Sequence, residues 1–219
     1  MPSRYTCATC GAALARAAGD AVSCPRCLLA SALATDGGTP RLPYRIITIL
    51  ARDAGAVTYL AQADGVADHI ALKICGPCNV DAVVSRFRQW RPALTAAQHP
   101  HLARLVDVGP AGDDRIYAAS EYIIGCSLET SLRRSALTHA QRHEIAGQIG
   151  DAVAAAHASG LAHGRVDAAH IKIALSRRPR ATLLGLGAGL IVDGAPVDRD
   201  RDVRSLQALS RELGVDRPS

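Results

Sequence analysis

Before Gly125 the apolar residues come in short, β-branched runs; after it they recur at helical spacing. This change of period constrains the fold more than any other feature. A period near two makes half-buried strands, and one near 3.6 makes amphipathic helices. The runs at 44–50, 56–62 and 68–74 are expected strands, with "ADGVA" as the turn between the last two. The stretch 81–97 has helical spacing interrupted at Pro92, and 103–110 with 115–123 makes a further hairpin. Past Gly125, Ile145, Ile149, Val153 and Ala156 share one face of a helix that Thr138 caps and Gly160 stops. "HIKIAL" and "ATLLGL" are expected short strands, and 202–214 a last amphipathic helix. Five strands with one helix, then a mainly helical half, is an α+β architecture.

Aromatic residues make up 3% of the chain, so Ala, Leu, Val and Ile must build the core. The net charge of +5 is nearly all arginine, without the interleaved aromatics that nucleic-acid grooves use, so no nucleic-acid partner is expected. No apolar run reaches the roughly 18–20 residues of a membrane span. "MPSRYTCATC" holds no hydrophobic leader core, so the expected setting is cytoplasmic. There, paired cysteines bind metal or stay reduced more often than they form disulfides.

Four of the seven cysteines fall in residues 1–34, as "CATC" (Cys7, Cys10) and "CPRC" (Cys24, Cys27). Two such knuckles can bring four thiolates to one tetrahedral zinc, each sulfur about 2.3 Å from the ion. Unpaired thiols or another metal are the alternatives. A segment this short buries little core, so metal binding would drive its folding, and four thiolates leave no open position for catalysis. Residues 35–43, "TDGGTPRLP", read as a linker. A third pair, "CGPC" (Cys75, Cys78), resembles the thioredoxin tetrapeptide, but no thioredoxin-like pattern surrounds it, and it reads more simply as a loop. Cys126 reads as a small core or loop residue.

From Tyr44 to about Gly214 the order of features resembles the eukaryotic-like (Hanks-type) Ser/Thr protein kinases of bacteria. "IALK" resembles the strand of the phosphate-pairing lysine, here Lys73, and "RFRQWRPALTAAQHPHLARLVDVG" the regulatory helix and the strand after it. "YAASEYIIGCSL" resembles the hinge, with Ser120 at the gatekeeper position and Glu121 beside the nucleotide. "HGRVDAAHI" resembles the H-R-D-L-K-P-x-N-I loop, "LLGLG" the strand ending in D-F-G, and "DVRSLQALSREL" the helix whose Asp202 braces that loop. The implied fold is a five-stranded sheet with its helix over 44–124 and a shortened helical lobe over 125–219, preceded by the zinc ribbon.

The resemblance also implies what is missing. The glycines of the phosphate loop fall on Ala51, Asp53 and Ala56, and the lysine's helix partner on Trp90. The catalytic base falls on Arg165, the loop lysine on Asp167, the metal-binding asparagine on His170 and the D-F-G aspartate on Gly185. Arginine stays protonated and cannot take a proton, and glycine cannot ligate magnesium. Losing a general base alone costs about 10²–10⁴-fold. Fifteen positions separate Gly187 from Asp202, fewer than an activation segment with a substrate platform needs. The expectation is a pseudokinase: no catalysis, no Mg·ATP, a structural zinc, and a protein partner such as an active kinase or a second copy. Trp90 would pack near Lys73 between the lobes, or, with its helix rotated outward, only on the N-lobe. A divergent phosphotransferase using Asp167 and a zinc- or thiol-sensing protein are the rival readings.

Overall fold

The computed structural model describes residues 5–6, 13–14, 42–53, 55–63, 68–174 and 176–215. The chain divides into two compact units, Met1–Val80 with Gly109–Tyr117, and Asp81–Val108 with Ala118–Ser219.

In the first unit β1 (Tyr5–Thr6) pairs antiparallel with β2 (Ala13–Leu14). Residues 7–12, which carry Cys7 and Cys10, and the stretch with Cys24 and Cys27 lie outside the described residues, as do most of the linker and most of the "ADGVA" turn. Next comes an antiparallel meander of β3 (Tyr44–Asp53), β4 (Ala56–Ala63) and β5 (His69–Cys75). Ile70, Leu72 and Ile74 of β5 are buried while the residues between them are partly exposed, the alternation of a half-buried strand. β3 lies at the sheet edge, and its pairing with β4 shifts register twice, between Ile46 and Thr48 and between Ile49 and Ala51. Such irregularities blunt an edge against pairing with other chains. β6 (Leu105–Pro110) and β7 (Ile116–Glu121) complete the strand order β3-β4-β5-β7-β6, their residues divided between the two units.

The second unit begins with α1 (Val80–Ala96), which runs unbroken through Pro92. The interruption expected there does not occur. Proline removes one N–H from the ladder, but Pro92 is exposed, so water can serve the carbonyl left without a donor. Further along are β8 (Cys126–Ser127), α2 (Leu128–Arg133) and α3 (His139–Ala158). Thr138 caps α3 in a reciprocal capping box with Gln141. The stripe Ile145, Ile149, Ala152, Val153 and Ala156 is fully buried. Each large aliphatic in it contributes about 1.5–3 kcal/mol over its exposed state. A 3₁₀ turn (Ala168–His170) leads into β9 (Ile171–Ala174), which lies between β8 and β10 (Arg180–Leu183). A π-helical turn (Gly189–Asp193) and α4 (Arg199–Leu213) follow. α4 starts three residues before its expected first residue because Asp198 accepts the Arg201 N–H as N-cap. Leu161, Ile171, Ile173, Leu183 and Leu186 join the α3 stripe in one core. No described helix is long and apolar enough to cross a membrane.

Candidate functional site

Lys73 lies on β5 opposite Thr58 of β4, and its Nζ is 3.6 Å from Asp53 Oδ2 at the end of β3. Both side chains are substantially exposed, so the pair contributes at most about 1 kcal/mol to stability. Its consequence is for charge: the cation expected to meet phosphate already faces a carboxylate. The β3–β4 ladder runs through Ala51, Arg52 and Asp53 to Ala56, so all three expected glycine positions sit in paired strand.

In the second unit the loop 161–173 is held from below by α4. Asp202 is wholly buried. Its carboxylate accepts the His163 N–H at 2.6 Å, the Gly164 N–H at 2.7 Å and the His157 Nε2–H at 2.9 Å. Hydrogen bonds to a charged group are each worth about 1.5–3 kcal/mol, so this one side chain fixes the loop backbone. Gly164 takes φ +77°, a left-handed value glycine adopts without strain. His157 was not picked out from the sequence; a histidine in the last turn of a helix is the one signal that could have marked it.

The loop's own side chains differ in exposure: His163 is buried, and Asp167 and His170 are half-buried. Arg165 is exposed. Asp167 caps the 3₁₀ turn: its Oδ1 accepts the Ala169 and His170 N–H groups at 3.0 Å each, and lies 2.7 Å from His170 Nδ1. Burial pushes the Asp167 carboxyl up, but the hydrogen bond and charge of His170 and the two backbone donors outweigh it, leaving its pKa below the ordinary value. Gly185 has φ +90° and open space where a side chain would begin, so its missing carboxylate is not a matter of crowding. Among the described residues no three His, Cys, Asp or Glu side chains gather as a metal site would require. Trp90 packs half-buried against the core of this second unit. Glu121, expected beside a nucleotide, is engaged with Arg104: its Oε2 is 3.8 Å from Arg104 Nε and 3.4 Å from the Arg104 N–H. Cys126 is half-buried with its Sγ 3.1 Å from Ser131 Oγ.

No family model matches the sequence. The chain is 31% identical over 137 residues to the Mycobacterium tuberculosis serine/threonine-protein kinase PknD, covering 61% of this chain and 20% of that one. It is 34% identical over 140 residues to PknE of the same species, covering 62% and 24%. The chain thus spans about a fifth to a quarter of the length of these curated relatives. The crystal structure of the M. tuberculosis PknI kinase domain superposes with a TM-score of 0.64 at 24% identity, over 82% of this chain and 75% of that one. This chain carries a protein-kinase-like domain homologous to bacterial Ser/Thr kinases.

The kinase-like domain keeps the brace that the resemblance implies. Asp202 and His163 hold the loop as a scaffold needs. The positions expected to take a proton and ligate a metal hold Arg165, His170 and Gly185. One further residue, Arg86 of α1, came from no sequence signal. Its guanidinium donates to Ile191 O at 2.7 Å and Val192 O at 3.0 Å, fastening the π-helical turn to α1.

Proposed function

We propose that this kinase-like domain is a pseudokinase, a binding module of bacterial Ser/Thr kinase signalling that does not transfer phosphate. The observation that carries the reading is the state of the loop. Its base position is an exposed arginine, and its neighbouring carboxylate, Asp167, is turned back to cap its own 3₁₀ turn. Phosphoryl transfer in kinases is positioning plus neutralisation of charge by magnesium, and the residues present do not fit magnesium-bound ATP. Gly185 offers no ligand, and Asp53 sets a negative charge against Lys73. The partner we propose is a protein, either an active kinase or a second copy of this chain, met in the cytoplasm. We further propose that Cys7, Cys10, Cys24 and Cys27 hold a structural zinc.

The test is incubation of the purified chain with labelled ATP, magnesium or manganese, and a general protein substrate, beside a thermal-shift titration with the nucleotide. No labelled product and no saturable rise in midpoint are expected. Transfer that disappears in Asp167→Asn would establish the divergent phosphotransferase instead. Metal analysis of the same preparation should give zinc near one per chain, lost when Cys7 or Cys24 becomes serine. Zinc-free protein of unchanged fold would remove the metal reading.

A further inference from the structure

The tetrapeptide Cys75-Gly76-Pro77-Cys78 joins the end of β5 to the start of α1, and its backbone is fastened along its length. Cys75 stands opposite Ala56 in the β4–β5 ladder. The Gly76 N–H donates to Gly55 O at 3.3 Å, and the Cys78 N–H donates to Asp114 O at 2.7 Å. Gly76 runs so close to its neighbours that a Cβ there would lie 2.6 Å from Asp114 O. The chain bends at Pro77. Cys75 and Cys78 are both half-buried thiols.

This arrangement suits one chemistry. A disulfide needs Cα atoms about 4.4–6.8 Å apart, a span open to cysteines three positions apart only where the chain turns between them, as it does at Pro77. Fastened ends remove much of the conformational freedom that ring closure would otherwise consume. Cys78 lies two residues ahead of the first residue of α1. A metal is the weaker candidate, since among the described residues no third ligand joins the pair.

We propose that Cys75 and Cys78 form a reversible thiol-redox site that closes to an intrachain disulfide on reaction with low-molecular-weight disulfides. One thiolate attacks a sulfur of the small disulfide, giving a mixed disulfide and expelling one small thiolate. The second cysteine then attacks the protein sulfur of that mixed disulfide, and the second small thiolate leaves. Two protein thiols are oxidised, one small disulfide is reduced, and the two protons pass to the departing thiolates. The switch reports to the tip of the β3–β4 hairpin, because the Gly76 N–H that it holds is the donor to Gly55 O.

Trypsin isolates the pair: cleavage after Lys73 and Arg86 gives a peptide containing these two cysteines and none of the other five. The full chain is reduced, exposed to oxidised glutathione, alkylated and digested. The expected peptide 74–86 has lost two hydrogens, carries no alkyl group, and recovers both thiols in dithiothreitol. In Cys75→Ser the same peptide should instead trap glutathione on Cys78. Amide exchange at Gly76 and Cys78 should slow several-fold in the oxidised wild type. Full alkylation of the wild-type peptide, stable glutathione on both cysteines, or disulfides to Cys126 or to a second chain would each overturn the proposal. Unchanged exchange at both amides would overturn the coupling to the hairpin tip. These outcomes do not depend on whether the domain transfers phosphate.

Discussion

His163 shows what burial does to one residue of the loop. The Arg165 N–H donates to its Nδ1 at 3.3 Å, so the neutral ring carries its proton on Nε2, a buried atom with no hydrogen-bond partner among the described residues. Burial drives its pKa down to about 4, against an upward pull from the Asp202 carboxylate, with lesser effects of His170 and Asp167. The folded value is below the free value of 6.5, so the native state refuses a proton that the unfolded chain accepts. The stability this neutral ring carries is complete above pH 6.5 and is lost as the pH falls toward about 4. The full span corresponds to about 3 kcal/mol. Urea unfolding at about pH 7.5 and about pH 4.5 should show that loss, and His163→Phe should remove most of it. An equal loss in the variant would place the titration elsewhere. The sequence pointed to His163 and Asp202 through the order of features around them. It could not show that His157 supplies Asp202 with a third donor, because that contact joins residues 45 positions apart.

Elements were legible where a periodic pattern was carried to completion. β4, β5 and α3 followed from alternation or helical spacing because each buries one face, and burial rewards that spacing. Pro92 misled because its intrinsic preference is a local quantity, whereas α1 is fixed by Val83 and Phe87 in the interior on its other side. The π-helical turn had no signature at all. Five residues with buried Leu190 and Ile191 hold their shape through Arg86, which meets the carbonyls of residues 191 and 192 from over a hundred positions away. Gly187 tightens the same junction, since a Cβ there would come 2.8 Å from Leu94 Cδ2. Arg86→Ala should therefore cost about 2–3 kcal/mol, given two partly buried bonds from a charged donor. Hydrogen exchange across 189–193 should rise while that of α3 stays put. Unaltered exchange in the turn would mean the arginine is incidental to it.

At the scale of the whole molecule, each unit departs in charge from what the kinase resemblance implies. The first unit has gained an acid, Asp53, where glycine is expected, and the second has lost acids at positions 165 and 185. Neither change costs the fold much, because the Lys73–Asp53 pair is exposed and Gly185 lies in open space. These positions can therefore be changed back by substitution to the residues that the resemblance implies. The variant combining Asp53→Gly, Arg165→Asp, His170→Asn and Gly185→Asp restores the expected groups in both units. An aspartate at the φ +90° of Gly185 would carry about 1–3 kcal/mol of backbone strain unless the turn relaxes, a cost that a bound metal can offset. With magnesium present, ATP should now raise the thermal midpoint saturably, by about 2.7 kcal/mol of stabilisation at a hundredfold excess over its Kd. Phosphate should still not reach a protein substrate, because the fifteen positions from Gly187 to Asp202 leave too little chain to seat one. A nucleotide response already present in the unaltered chain would mean that its charges had not been lost from the place that counts.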